Sequence, residues 1–401
     1  MYRPFLEASS APLDRGIALY FKAPHSFTGE DILELQTHGS PVILDLLLRR
    51  LVALGCRLAR PGEFSERAFL NGKMDLTQAE AIADLINSTS ESAARSAQRT
   101  LQGAFSGAIH RSVEALITLR QYVEAAIDFT DEDIDFIEQG GIYDRLLTLK
   151  EDLQALIKSA QDGVVLQEGA SLVLIGRPNS GKSSLLNCLS GRDVAIVTPI
   201  AGTTRDSLRE RIHLEGLPLH LIDTAGIRDH TDDPVEREGI IRARREMETA
   251  DLILLMVDDE DPGDLGALMA SLSGHRSVLT VRNKIDLTGK VPARVATSQG
   301  IEVLISLKTG EGLDVLRETL KEMLGYQGVS ASTFTARRRH VQAMTKAEEI
   351  LTRALSHVQD AALELVAEEL KTAQQALDEI TGQFTSDDLL GRIFSSFCIG
   401  K

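Results

Sequence analysis

Cysteine is scarce in this sequence, and the three that occur, Cys56, Cys188 and Cys398, stand far apart. They form no CxxC pair and no zinc-type spacing, which argues against a disulfide framework and against a structural metal site. No apolar run approaches the roughly 20 residues that a bilayer-spanning helix needs. No charged-then-apolar leader opens the chain. The expectation is a cytoplasmic protein in a reducing compartment, with no membrane partner. Excess positive charge is also lacking: 43 Lys and Arg stand against 59 Asp and Glu, for a net charge of −16. Such a field repels nucleic acid at long range and disfavours a general phosphate-backbone binder, while leaving local recognition open. The densest basic run, ARRRH over Ala336–His340, reads by itself as the start of a solvated helix.

What is present is ordinary for a folded protein, with 43% hydrophobic and 25% charged residues. A chain of 401 residues is long for one core, so two or three domains are expected. Three textures follow one another. The first ~70 residues mix strand-like runs, GIALYF and ILELQ, with one amphipathic helix, PVILDLLLRRLVALG. A helical stretch follows, entered through GEFSERAFLNGK and DLTQAEAIADLINS, where Thr77 and Glu80 read as a capping box. Apolar residues three and four apart (Val113, Leu116, Ile117, Val123, Ile127) carry the helical period, and no proline interrupts it.

In the second texture, short β-branched runs alternate with helices: SLVLIG, RERIHLEG, LPLHLIDT, LILLMVDD, SVLTVRN, IEVLIS. That alternation predicts a wrapped α/β sheet. HLEGLPLH predicts a hairpin through Gly216, and hence one antiparallel edge strand. The last texture is helical again. The reading is therefore multidomain, α/β plus all-α, with the α/β domain inserted into a discontinuous helical domain. The expected division is 1–73 for a small α/β N-terminal domain, 74–167 and 328–401 for the two parts of the helical domain, and 168–327 for the inserted domain. Two independent bundles is the alternative.

LIGRPNSGKSS carries the sharpest chemistry. Gly176 followed by Gly181-Lys182-Ser183 fits G-x-x-x-x-G-K-[ST], between an apolar strand and a helix. Glycines let backbone amides turn inward around phosphate oxygens, and the helix N-terminus adds its positive end. Lys182 suits the β and γ phosphates, and the Ser183 hydroxyl suits Mg²⁺. Asn179, Ser180 and Ser184 flank these residues as part of the same loop. AGTTRD supplies Thr203 and Thr204, one of which should close on Mg²⁺ and the γ phosphate. In LIDTAG, Asp223 suits an outer-sphere Mg²⁺ role and Gly226 an amide for the γ phosphate, with Thr224 and Ala225 between them. VRNKID supplies Asn283 and Lys284 beside a base. Its Asp286 carboxylate accepts from the two N–H groups of a guanine edge. Adenine lacks that pair, so ATP is rejected. SLKTG, with Ser306, Leu307 and Lys308, supplies the last base loop.

Two puzzles remain in the residues alone. Ile227 follows Gly226 where a water-orienting glutamine often stands, and the phosphate loop holds no evident arginine finger, with Arg205 as one candidate. Acidic residues in RDHTDDPVEREG are candidates for orienting water. The second puzzle is the terminal FCIGK, a cysteine three residues from the end after an apolar RIFSSF run, where chain ends are usually frayed.

At this point the sequence resembles the MnmE (TrmE) family of GTPases of tRNA wobble-uridine modification. The resemblance covers essentially the whole chain and rests on SFTGED, RPGEFSERAFLN, DLTQAEAIADLI, GRPNSGKSS, AGTTRD, DTAGIR, NKID, ARRRH and GRIFSSFCIGK. It implies a K⁺ ion in place of an arginine finger, with Asn179, Thr198, Ile200 and Thr203 as its ligands. Thr198 thereby joins the GTP-binding set. Mg²⁺ falls to Ser183 and Thr204. Glu236 matches the glutamate that positions the water. Its spacing from DTAG is about one residue longer than the family pattern, so Glu238 is the alternative. The resemblance also implies a tetrahydrofolate derivative (5,10-methylene- or 5-formyl-) in the N-terminal domain, contacted by Glu34, Lys73 and Lys401, with Cys398 as a functional thiol nearby. As partners it implies a homodimer, a heterotetramer with the FAD-dependent protein MnmG, and tRNA. One departure stands out: family chains open with a Gly-rich strand whose arginine also helps bind folate, and this chain starts roughly 50 residues later in the pattern. Its first domain is therefore expected to lack strands.

Overall fold

The computed structural model describes residues 1–128, 141–190, 209–223, 250–263, 266, 277–298, 300–326, 334–383, 387–395 and 397. The chain divides into two compact units. One comprises Met1–Ile86, Thr100–Leu153 and Ala343–Lys401; the other comprises Asn87–Arg99 and Gln154–Gln342. The second unit is thus bracketed in sequence by segments of the first.

The second unit is organised by a seven-stranded sheet. Its strands are β4 (Ala170–Gly176), β5 (Arg209–Leu214), β6 (Leu217–Asp223), β7 (Leu252–Asp258), β8 (Val278–Asn283), β9 (Ala293–Thr297) and β10 (Gly300–Leu304), in spatial order β5-β6-β4-β7-β8-β10-β9. The five inner strands run parallel. Both edges are antiparallel: β5 on β6, as expected, and β9 on β10, which the sequence reading did not anticipate. The β5–β6 turn puts Glu215 at φ 51° and Gly216 at φ 89°, the pair of left-handed residues that a two-residue hairpin needs. Strand β7, LILLMVD, is buried on both faces. Leu252, Leu254 and Met256 enter the larger core with Leu172, Leu279 and Val281, while Ile253, Leu255 and Val257 form a second cluster on the other side. A parallel sheet covered on both faces needs this continuous apolar run.

The first unit opens with a three-stranded antiparallel sheet, β1 (Tyr2–Leu6), β2 (Pro12–Phe21) and β3 (Ile32–Gln36). Helices α1 (Pro41–Ala53), α2 (Glu63–Leu70) and α3 (Leu76–Asn87) follow. Thr77 and Glu80 do not cap α3. The capping box lies two residues earlier: the Gln78 amide donates to Asp75 Oδ1 (2.9 Å) and the Asp75 amide to Gln78 Oε1 (2.9 Å). Thr77 and Glu80 are buried instead, inside the first two turns. After α4 (Glu91–Leu101) comes α5 (Ala104–Asp128), which packs along α11 (Leu363–Thr381), joining Ile109, Val113, Leu116 and Val123 to a facing apolar row of Leu370, Ala373, Leu377 and Ile380. Between them in sequence run α6 (Ile142–Glu168), α7 (Lys182–Ser190), α8 (Ile285–Thr288), α9 (Leu313–Met323) and α10 (Arg338–Gln359); α12 (Asp387–Ser395) closes the series. Ile393, Phe394 and Phe397 bury against Leu76 and Ala79, with Phe69 and Phe394 rings 6.4 Å apart. Gly62, at φ 67°, lets this happen: a Cβ there would stand 2.7 Å from the Phe394 carbonyl. The RIFSSF run is therefore an anchor and not a frayed end. Among the described residues no helix is long and apolar enough to cross a membrane.

Candidate nucleotide site

The described site loops leave the carboxyl ends of the parallel strands β4, β8 and β10, where ligands of such sheets bind. The phosphate loop joins β4 to α7. A Cβ on Gly176 would lie 2.5 Å from the Met256 carbonyl, so β4 and β7 can approach only with glycine there. Gly181 has φ 104° and an added Cβ would meet Asn283 Nδ2 at 2.3 Å, so both backbone angle and space demand glycine. Asn179 takes φ 65°, a left-handed conformation that asparagine tolerates. Lys182 folds its amine back over the loop, donating to the carbonyls of Gly176 (2.6 Å) and Arg177 (2.8 Å). Ser180 is buried, while Ser183 and Ser184 are exposed at the start of α7, whose first turn holds no acidic residue. An anion therefore meets the positive end of the helix without a competing carboxylate.

The base side is tied to the phosphate side by one buried amide. Asn283 Nδ2 donates to the Ser180 carbonyl (3.1 Å), and Asn283 Oδ1 accepts from the Leu307 amide (3.1 Å). Lys284, at φ 72°, starts the one-turn helix α8 and donates to Asp258 Oδ2 at 2.5 Å. Asp286 sits in that turn, its Oδ1 accepting from Ser306 Oγ (2.7 Å). Ser306 Oγ accepts in turn from the Thr309 amide (3.2 Å), which fixes the SLKTG turn and leaves Lys308 exposed. Asp223 ends β6 in register with Leu174, two residues before the phosphate loop opens. Thus Asn179, Ser180, Gly181, Lys182, Asn283, Lys284, Asp286, Ser306 and Leu307 lie on loops that these hydrogen bonds tie together. Thr198, Ile200, Thr203, Thr204, Arg205, Thr224, Ala225, Gly226, Ile227, Glu236, Glu238, Cys398 and Lys401 lie outside the described residues.

The sequence reading overlooked the acids at the end of β7. Asp259 is fully buried and accepts from Thr288 Oγ1 (2.6 Å) and Lys290 Nζ (2.8 Å), with Arg282 at 3.7 Å. Burial raises its pKa, but Lys290, Thr288 and Arg282 outweigh that and hold it below the ordinary aspartate value. The available signal was VDDED at the carboxyl end of a buried strand, level with NKID.

In the N-terminal region Glu34 is exposed on β3, opposite Leu19. Lys73 donates to the Pro24 carbonyl (3.0 Å), and Asn71 Nδ2 to the Thr28 carbonyl (2.8 Å), so the LNGK turn is tied to the SFTGED loop. Among the described residues no hydrogen bond or ion pair joins Glu34 to Lys73. Glu63, in RPGEFSER, accepts from both Arg57 terminal nitrogens (2.8 and 2.5 Å) and from the Arg60 amide (2.8 Å). Arg57, then the Arg60 amide, bring its pKa down to about 2.

Comparison with known proteins matches two family models: the MnmE helical domain over residues 76–398 and the GTP-binding protein TrmE N-terminus over residues 1–73. The tRNA modification GTPase MnmE of Ectopseudomonas mendocina (strain ymp) is 55% identical over 406 residues, covering 99% of this chain and 89% of that protein. Among solved structures, the G domain of the T. maritima FeoB iron transporter is 26% identical, covers 38% of this chain and 98% of its own, and aligns with a TM-score of 0.29. Aquifex aeolicus Era is 25% identical, covers 45% of this chain and 66% of its own, and aligns with a TM-score of 0.30.

Proposed function

The chain belongs to the MnmE (TrmE) family of tRNA modification GTPases, and from that premise we propose that its GTP hydrolysis serves addition of an aminomethyl-type group, carboxymethylaminomethyl included, at carbon 5 of the tRNA wobble uridine. The chain is a GTPase. The observation that carries the site assignment is the Asn283 side-chain amide, which bridges the Ser180 carbonyl and the Leu307 amide and so ties the phosphate loop to the base loop.

In this reading Lys182 faces the β and γ phosphates, Asp223 and the Gly226 amide complete the phosphate side, and Asp286 reads guanine. Ser183 and Thr204 would hold Mg²⁺; the exposed Ser183 hydroxyl at an acid-free helix start fits that role. Asn179, Thr198, Ile200 and Thr203 would hold K⁺. Arg177, the arginine of the phosphate loop, pairs with Asp261 (3.7 Å), which supports a need for charge from elsewhere. When bound, the two cations supply positive charge against the charge developing on the transferred phosphoryl group. Glu236, or Glu238, orients the attacking water in place of the residue that Ile227 cannot be.

The one-carbon unit comes from a tetrahydrofolate derivative. Glu34 would hold the donor edge of the pterin, Lys73 and Lys401 would hold its anionic tail, and Cys398 would act near the carbon. The exposed carboxylate of Glu34 and the anchoring of Phe397 beside Gly62 are compatible with that site. MnmG is the FAD-dependent partner in a heterotetramer, the chain is a homodimer, tRNA is the substrate, and the cytoplasm is the place of action. The proposed domain division is 1–73, 74–167, 168–327 and 328–401; it differs from the two compact units, which group 87–99, 154–167 and 328–342 with the seven-stranded sheet.

The test is nucleoside analysis of tRNA from cells in which this chain is deleted and replaced by the wild type or by Cys398→Ser, paired with GTP turnover of the purified proteins in K⁺ and in Na⁺. Cys398→Ser should lose the wobble modification and keep GTP turnover, and turnover should fall at least ~tenfold in Na⁺. Unchanged modification in the deletion strain sinks the reading in favour of an assembly GTPase that acts as a binding switch.

A further inference from the structure

Helix α8 carries the base-reading Asp286, and it is a single turn of four residues. One turn has no stability of its own, because nucleating a helix costs more than its first hydrogen bonds return. Left-handed residues bound it at both ends, Lys284 at φ 72° and Gly289 at φ 67°. Its orientation must therefore come from what grips it. Ser306 grips Asp286 on one side. On the other side stand Asp258 and Asp259, which belong to none of the GTP-binding motifs.

Asp258 accepts from Lys284 Nζ at the entrance of the turn, and Asp259 accepts from Thr288 Oγ1 and Lys290 Nζ at its exit. The Asp259 amide donates to the Asn283 carbonyl (2.9 Å), so the backbone is clamped as well. The Asp259 side chain has no exposed surface. A buried carboxylate persists only when its charge is matched, and its matching groups are the two side chains that close α8 together with Arg282. Arg282 is itself held by Glu302 on β10 at 2.6 Å, and β10 leads into the Ser306 loop. The acids thus link β7, β8 and β10 at the level of the base.

We propose that Asp258 and Asp259 form a clasp that sets the orientation of Asp286, making them positioning residues for guanine recognition. The inference rests on the guanine site assigned above and adds to it the residues that hold it rigid. A carboxylate must face both N–H groups of guanine at once, and a small tilt of α8 breaks one of the two bonds while leaving the phosphate contacts intact. The clasp therefore acts on base affinity and base choice, not on the chemical step.

The test uses the full-length protein. Asp259→Ala removes the buried prong; Lys290→Met with Thr288→Ala removes its partners from the surface side, in case the first variant does not fold. GDP affinity and the kcat/KM ratio of GTP over ITP, which lacks the guanine 2-amino group, are measured with Asp286→Ala as control. The clasp variants should weaken GDP binding ~tenfold, about 1.4 kcal/mol, and lower the GTP-over-ITP ratio several-fold, with kcat at saturating GTP unchanged. Folded clasp variants that keep wild-type GDP affinity and GTP-over-ITP ratio, beside an Asp286→Ala control that loses both, overturn the clasp alone. A control that loses neither overturns the guanine site, and the clasp falls with it.

Discussion

Two strands of this protein have similar composition and opposite fates. Strand β7, LILLMVD, is buried at six successive positions; strand β3, ILELQ, is exposed at three of five and half-buried at the others. The first sits inside a parallel sheet with apolar packing on both faces. The second edges a three-stranded antiparallel sheet that keeps apolar residues in view on both faces: Leu33 is 60% exposed beside its partner Tyr20, and Tyr2, paired with Ile17, is exposed on the other face. The seven-stranded sheet holds its own core and its own chemistry, since its site is assembled from loops at one end of neighbouring strands. The residues assigned to folate, Glu34, Lys73 and Lys401, come from distant segments. Self-contained structure and locally written function go together here, and scattered function goes with an apolar surface left uncovered.

The largest effect that could break this contrast is on stability. Leu254→Ala should destabilise the nucleotide-binding unit by about 2–5 kcal/mol, through lost transfer energy and a residual cavity. Leu33→Ala should cost under ~0.5 kcal/mol, because little buried area is lost. Denaturant unfolding checks both, with the relevant transition identified by its upward shift when GDP is added. Equal costs at the two leucines would mean that the N-terminal sheet is packed as tightly as the parallel one.

Next in size is a carboxylate that makes the N-terminal region less different than its surface suggests. Glu63 is buried and held by Arg57 and the Arg60 amide, with a pKa lowered from 4.5 to about 2. A lowered folded-state value means a stabilising contribution that is full above pH 4.5 and is lost as pH falls from there towards 2. Glu63→Gln should cost about 1.5–3 kcal/mol at neutral pH, the range for charge-assisted hydrogen bonds. Its unfolding curve should also be flatter than the wild type's across that acid window. A variant with the wild-type acid slope would show that Glu63 is not what the N-terminal region loses in acid.

The same contrast explains what could be read without coordinates. The five parallel strands and the hairpin at Gly216 were legible because both are encoded locally, by unbroken apolar runs and by a turn that demands positive φ. Strand β9, ARVAT, was not: it is half-buried at its first residue and exposed thereafter, and exists because β10 offers it an edge. Asn283, Asp286 and Ser306 were legible as motif members, while Asp258 and Asp259 were not, because bracing a loop leaves no spacing rule behind. RIFSSF was legible as apolar, yet only its packing around Gly62 marks it as an anchor.

The smallest effect concerns how helices begin in the two regions. Helix α7 starts with Lys182, Ser183 and Ser184 and no acid, an arrangement that keeps its positive end available to an anion. Helix α3 does the reverse and satisfies its own amides. T-x-x-E and D-x-x-Q overlap in DLTQAE, and a rule that favours Thr and Glu selects the wrong pair. Asp75 wins because it stands just before the first helical residue, where the leading amides lack intrahelical partners, whereas Thr77 is already inside the first turn: Asp75 Oδ1 takes both the Gln78 amide (2.9 Å) and the Thr77 hydroxyl (2.6 Å). Gln78 completes the box and spends its amide on the Leu101 carbonyl (3.0 Å), tying α3 to the end of α4. Asp75→Ala should therefore cost about 1 kcal/mol of stability in the first unit, the usual worth of an N-cap. The loss should be ionic-strength dependent, since the carboxylate also faces the helix dipole, and GTP affinity should not change. If Thr77→Val proves as costly as Asp75→Ala, the hydroxyl bond to Asp75 carries the cap, and the two-sided box is the wrong description of this helix start.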